Sequence, residues 1–163
     1  MRLPSFLIKM DDVFESYARK FMQSNLAFDS FRILDGNHQP PIGAAKYLFD
    51  DDGVLGNREA TPDIVITRDG MPISVLEVKY KPCPGNPDRD HLNQVMTYAV
   101  TYKVKHATLV YPSKKSQSTN LAYLGIVDGI KCFKATVDLS CENLLDQEDQ
   151  ISRLIAESLP LPL

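Results

Sequence analysis

An α/β domain built on a mixed sheet is the fold this sequence predicts. Three observations carry the prediction. An apolar stripe at helical spacing opens the chain, and two β-branched runs flank an Asp-Gly pair further on. A second helical pattern then follows a proline-rich break and leads into another apolar run. The order is helix, strands, helix, strand, closed by a further hairpin and helix. With 163 residues the chain is long enough for one well-buried domain, its core at about 5–111 and its closing hairpin and helix at about 121–159.

The first helix is expected over residues 5–24. Phe6, Met10, Val13, Phe14, Tyr17 and Phe21 recur at helical spacing and form a broad apolar stripe. Glu15 lies about 100° round from Phe14. It shares a row with Asp11, Ala18 and Met22, on the flank of the stripe, where a carboxylate can face a cleft. Residues 31–34 and 45–49 read as short strands. Residues 50–58, with three consecutive acids, read as an exposed loop that lacks the later ligands of a calcium-binding loop.

Residues 64–67 and 73–80 are the strongest strands, joined through Asp69-Gly70. Register decides what this hairpin can do. A two-residue turn pairs Arg68 with Met71 and leaves Asp63 opposite Leu76, on the wrong face. A three-residue loop with a glycine bulge pairs Asp63 with Glu77 instead. In a third arrangement Asp63 stands just outside the pleat, released by Pro62.

Pro82, Pro84, Pro87 and Gly85 break the chain, and Asp88 or Asp90 caps a helix running to about residue 105. Leu92, Val95, Met96 and Ala99 are its expected buried row. Residues 107–111 form a strand ended by Pro112, and residues 113–120 a polar loop. Residues 121–127 and 130–139 make a hairpin about Asp128-Gly129, and 142–158 an amphipathic helix buried through Leu145, Ile151, Leu154 and Ile155.

Composition excludes little but sets a frame. No stretch approaches the ~20 apolar residues of a membrane span. The Phe6-Leu7-Ile8 run is too short for the core of a signal peptide. Cys83, Cys132 and Cys141 form no CxxC pair and read as reduced thiols, so a cytoplasmic location is expected. Eighteen Lys and Arg against 21 Asp and Glu give a net charge of −3, but the positive charge is local. It gathers at Lys79, Lys81 and Arg89, at Lys103, Lys105 and His106, and at Lys114 and Lys115. Each group reads either as a phosphate contact or as solvated surface.

The chemistry concentrates at Pro62-Asp63 and Glu77-Val78-Lys79. Strand side chains alternate, so Glu77 and Lys79 share a face. Among Val75, Leu76, Val78 and Tyr80, both charges need a partner or a metal. One reading is a structural ion pair. The other is that Asp63, Glu77 and Lys79 converge, giving oxygen ligands for Mg²⁺ and a cation beside an attacking water, as phosphodiester hydrolysis requires. Gln94 and Tyr98 are i and i+4 on the following helix, in a polar row with His91 and Thr101. That row either supports the site or is an ordinary polar helix face.

Asp63, Glu77-x-Lys79 and Gln94-x-x-x-Tyr98, in this order, resemble the PD-(D/E)xK nuclease superfamily, in its Q-x-x-x-Y branch. Met10-Asp11-Asp12-Val13-Phe14-Glu15, Thr61-Pro62-Asp63-Ile64-Val65-Ile66, Glu77-Val78-Lys79-Tyr80-Lys81 and residues 90–98 are more closely similar to the nuclease domain of McrC, the cleavage subunit of modified-cytosine-dependent McrBC restriction systems. The likeness covers about 6–111. It implies a restriction-endonuclease-like core, a central mixed sheet flanked by helices. It also implies Mg²⁺, with Mn²⁺ able to substitute, held by Asp63, Glu77, the Val78 carbonyl and Glu15. Lys79 would orient or deprotonate the water, and Gln94 and Tyr98 would support the site or touch the scissile strand. Lys81, Arg89, Lys114 and Lys115 are the candidate DNA contacts. An AAA+ GTPase motor of McrB type is the implied partner, and it would carry the specificity. Family members often have Asp where Glu77 stands. The N-terminal motor-engaging region of full-length McrC does not precede these motifs, which fits either an excised nuclease domain or a stand-alone relative. Two alternatives stay open: a non-catalytic nuclease-fold domain docking on a nucleotide-driven DNA motor, and a repair or junction nuclease of the same fold.

Overall fold

Two tight hairpins and one helical crossover build the sheet. The computed structural model describes residues 8–26, 31–41, 43–49, 58–83, 85–113 and 118–160. Strands β1 (Phe31–Leu34), β4 (Ile64–Arg68), β5 (Met71–Val78), β6 (His106–Pro112), β7 (Asn120–Val127) and β8 (Ile130–Val137) form a six-stranded sheet in the order β1-β4-β5-β6-β8-β7. β2 (Lys46–Tyr47) and β3 (Glu59–Ala60) pair separately. β5 and β6 run parallel, as do β6 and β8, while the remaining pairs are antiparallel. The sheet is therefore mixed, as the sequence predicts.

Helix α1 (Met10–Asn25) and helix α3 (Leu144–Ser158) cover one face through Phe14, Ala18, Phe21, Met22, Ile151 and Ile155. They pack on Ile64, Ile66, Leu76, Val78 and Val110. Helix α2 (Arg89–Thr101) is the right-length crossover between parallel strands, and its Val95 and Ala99 meet Val65, Val75, Leu109 and Tyr111 on the opposite face. Burying each large aliphatic side chain stabilises the domain by about 1.5–3 kcal/mol before entropy is counted. Among the described residues, no helix is long and apolar enough to cross a membrane.

Several sequence expectations shift. α1 starts at Met10 rather than residue 5, and residues 1–7, including Ser5 and Phe6, lie outside the described residues. Met10 and Val13 are 44% and 45% exposed. The buried stripe is turned toward the Glu15 row, because Ala18 and Met22 are the residues that meet the sheet and α3. The strand expected at 45–49 shrinks to Lys46–Tyr47. β5 ends at Val78, so Lys79 and Tyr80 stand beyond it.

α2 stops at Thr101, not near residue 105. Lys103 takes a left-handed φ of 56°, while its N–H bonds Val100 O and the Val104 N–H bonds Ala99 O. Those two bonds close a Schellman motif with a lysine where glycine is usual. Of its expected row, Leu92 and Met96 are only half-buried. Leu145 is 73% exposed on the first turn of α3, beyond the reach of the sheet, and Ser152 takes a buried position instead. Of the loops expected at 50–58 and 113–120, residues 50–57 and 114–117 lie outside the described residues, as does Pro84. Within the second loop, Thr119 is buried and donates to Gln147 Oε1 at 2.6 Å.

Candidate functional site

The β4–β5 hairpin sets the site. Asp69 and Gly70 both have positive φ, 51° and 80°, so the turn is the two-residue kind that matches strand twist. Arg68 pairs with Met71 and Thr67 with Pro72, but Ile66 then pairs with Ser74. Ile73 is the extra residue of a bulge beside a proline that has no N–H to give to the ladder. Beyond it Ile64 pairs with Leu76, so the next residue, Asp63, comes level with Glu77. The shift that a three-residue loop would have supplied at the turn is made two residues further along. Asp63 also lies just ahead of β4, and its Oδ2 accepts the Val78 N–H at 2.7 Å.

Asp63, Glu77 and Lys79 thus share the α2 side of the sheet. The Lys79 ammonium donates to Glu77 Oε1 at 2.7 Å and to Gln94 Oε1 at 2.9 Å. Gln94 Nε2 in turn donates to the Tyr98 hydroxyl at 3.1 Å. The helix row therefore reaches the strand end through Lys79, in one continuous chain of hydrogen bonds. His91, one turn earlier, shares a 2.9 Å hydrogen bond with the buried Tyr111 hydroxyl. Burial, with Lys79 nearby, holds its imidazole below the ordinary histidine range.

The two carboxyls are electrostatically uncomfortable. Burial, then the Glu77 charge, pushes the Asp63 carboxyl well above the usual carboxylate range, against the pull of the Val78 N–H and Lys79. Glu77 is raised as well, by burial first and by Glu15, while Lys79 pulls it down. Glu77 is 3% exposed and its Oε2 is buried without a hydrogen-bond partner. An orphaned carboxylate oxygen beside a second buried carboxyl is a donor set suited to a hard divalent cation.

The expected ligands are not drawn into a ready cluster. Among the described residues, no three His, Cys, Asp or Glu side chains form a group that could hold a metal ion. Lys79 occupies one Glu77 oxygen, and Glu15 Oε1 accepts from Arg19 at 2.9 Å and from Asn37 at 3.3 Å. Glu15 is half-buried on α1, near enough for its charge to act on Asp63 and Glu77. Val78 enters through its N–H, bonded to Asp63.

Of the candidate DNA contacts, Lys81 is exposed and paired with Asp88 at 3.0 Å. That pairing takes the Asp88 side chain away from the cap of α2. Arg89 is exposed in the first turn of α2, and Lys114 and Lys115 lie outside the described residues.

Sequence reasoning missed Arg19, Asp35 and Asn37. Arg19 joins Glu15, Asp35 and the Asp63 carbonyl. The Glu15–Arg19 spacing of i and i+4 was the one available signal. Asp35 and Asn37 come from the turn after β1, and no local pattern links that turn to the helix.

The chain resembles known proteins in two ways. A family model described as "McrBC 5-methylcytosine restriction system component" matches residues 1–112. Among solved structures, the refined half-complex from the tetradecameric assembly of Thermococcus gammatolerans McrB AAA+ hexamers with bound McrC matches with a TM-score of 0.61 and 15% identity. That match covers 92% of this chain and 34% of the other, so this chain spans about a third of its relative. At such identity the likeness speaks for the fold. No curated protein matches the chain. The family match takes in α1, the bulged hairpin and α2, every element that supplies the site, and by it the chain belongs to the McrBC 5-methylcytosine restriction system component family.

Proposed function

We propose that this chain is a Mg²⁺-dependent DNA endonuclease, a single nuclease domain acting as the cleavage part of a McrBC-type restriction system. The observation that carries the reading is Asp63 brought level with Glu77, which Lys79 contacts, with Glu77 Oε2 buried and unpartnered. Asp63 and Glu77 would hold the Mg²⁺, joined by Glu15 and the Val78 carbonyl, and Mn²⁺ would substitute. When bound, the ion polarises the phosphate and lowers the pKa of a coordinated water.

The chain's own groups do the rest. The Lys79 ammonium, held by Glu77 and Gln94, is placed to orient the attacking water and to offset negative charge developing on the phosphate. Tyr98 anchors Gln94 and so fixes Lys79 from the helix side. Lys81, two residues beyond Lys79, and Arg89, in the first turn of α2, are proposed to meet the DNA backbone, with Lys114 and Lys115 as further candidates. The solved assembly pairs McrC with McrB AAA+ hexamers. A GTPase motor of that type is the proposed partner here, and a cytoplasmic location follows from that role.

The test uses supercoiled plasmid, methylated and unmethylated, with Mg²⁺ or EDTA, in the presence and absence of a McrB-type motor. Asp63→Ala, Glu77→Ala and Lys79→Ala should each abolish nicking with the fold retained. Nicking preserved in all three purified variants would refute the assignment. Cleavage of branched but not methylated DNA would favour a junction nuclease. Absence of cleavage with every partner, joined to absence of metal uptake, would favour the non-catalytic docking domain.

A further inference from the structure

The polar groups between α1 and the turn after β1 close into a ring. Arg19 Nη1 donates to Glu15 Oε1 at 2.9 Å, and Arg19 Nη2 meets Asp35 Oδ2 at 3.1 Å. Asp35 Oδ1 accepts the Asn37 N–H at 2.8 Å, and the Asn37 side chain returns to Glu15 Oε1 at 3.3 Å. From this ring Arg19 Nη1 also reaches the Asp63 carbonyl at 3.4 Å. His38 adds a 3.0 Å contact to Asp35 Oδ2.

An ordinary i,i+4 pair on an exposed helix contributes little. This one differs in two respects. Arg19 is 17% exposed, and its partners come from three separate segments. The guanidinium suits such a role because its donors point in fixed, divergent directions, which an ammonium cannot reproduce. One end of the ring is the Glu15 carboxylate, whose charge is felt at both Asp63 and Glu77. Another end is the main chain of Asp63 itself.

We propose that Arg19 is a positioning residue of the candidate metal site: anchored by Asp35, it holds the Glu15 carboxylate and the Asp63 backbone in one fixed relation. The inference rests on the nuclease reading and adds a residue to it. Arg19 acts chiefly through Glu15, its contact to the Asp63 carbonyl being the longer at 3.4 Å, so nearly all of its effect on metal uptake is lost when Glu15 can no longer ligate.

Calorimetric titration of the DNA-free protein with Mn²⁺ tests this directly. Arg19→Lys keeps the charge and removes the fork, so a change reads geometry rather than net charge. Arg19→Lys and Glu15→Gln should each weaken Mn²⁺ binding by about tenfold, the range of outer-shell ligand supports. The double variant should be weaker than Glu15→Gln alone by no more than about twofold, because the two act as one unit. Asp35→Asn, which leaves Arg19 and Glu15 in place, should give a smaller shift in the same direction, and it carries the test if Arg19→Lys fails to fold. Wild-type affinity in Arg19→Lys, or effects that multiply in the double variant, would overturn the inference while leaving the nuclease reading intact. No Mn²⁺ uptake by the wild type, with no plasmid cleavage, would overturn both.

Discussion

His106 should make this protein acid-sensitive over a defined window. Its imidazole is 1% exposed, with Nδ1 bonded to Ser74 Oγ at 2.8 Å and Nε2 to Ser158 Oγ at 2.9 Å. Its ring stacks on Phe133 at 4.7 Å. β5, β6 and α3 are thus pinned together through one neutral ring. Burial, with a small push from Lys131, lowers its pKa from 6.5 to about 4. The sign follows from where protons bind. As pH falls below 6.5 the unfolded chain takes up a proton that the native state refuses, so stability drains away until the native pKa is reached. A pKa moved from 6.5 to about 4 corresponds to about 3 kcal/mol in full, of which about 2 kcal/mol should be lost by about pH 5.

Asp63 and Glu77 work in the opposite direction, since their raised carboxyls favour native-state protonation as pH falls. The measurement is therefore a difference. Urea unfolding of wild type and His106→Gln, from about pH 7.5 to about pH 5, should show the wild type losing about 2 kcal/mol relative to the variant. A difference that stays flat across that range would refute the reasoning, as would a native imidazole titrating at its ordinary value by NMR.

Three other outcomes are expected. Asp63→Asn keeps an acceptor for the Val78 N–H but removes a carboxylate whose pKa is raised, and whose ionised form therefore costs stability as pH rises above the ordinary carboxylate range. In metal-free thermal melts at about pH 8 the variant should be more stable than wild type by more than about 1 kcal/mol, while Mn²⁺ should stabilise the wild type alone. Gln94→Ala loosens Lys79 without touching the carboxyls, so cleavage should fall about 10–100-fold; wild-type rates would remove Gln94 from the site. Lys103→Gly relieves the left-handed residue at the end of α2 and should raise stability by about 0.5–1 kcal/mol in denaturant unfolding.

The elements that sequence patterning located best are those whose side chains alternate or recur cleanly. β4, β5, the two Asp-Gly turns and α2 stand close to where periodicity puts them. What escaped depends on contacts between distant segments. Of the expected α1 stripe Phe14 and Phe21 are buried, but Met10 and Val13 are exposed, and the packing of α3 and the sheet selects Ala18 and Met22 in their place. The level of Asp63 against Glu77 was visible only as alternatives. Pro72 hints at a broken ladder, but nothing local says that the extra residue falls at Ile73. Asp63, Glu77, Lys79, Gln94 and Tyr98 do gather at one place, while the Arg19–Asp35–Asn37 ring could not be foreseen, because hydrogen bonds across 16 residues of chain leave no periodic trace.

The bulge at Ile73 makes the hairpin's length a matter of odd and even. Were Ile73 instead taken into the ladder opposite Ile66, the turn would be unchanged, yet Asp63 would pair with Leu76 on the helix α1 side and part from Glu77. Deleting Ile73 should therefore leave the acids level and the protein active, whereas straightening the strand with Ile73 retained should silence it without unfolding it. A surface turn of ordinary appearance thus encodes, by counting alone, whether the acids ever meet.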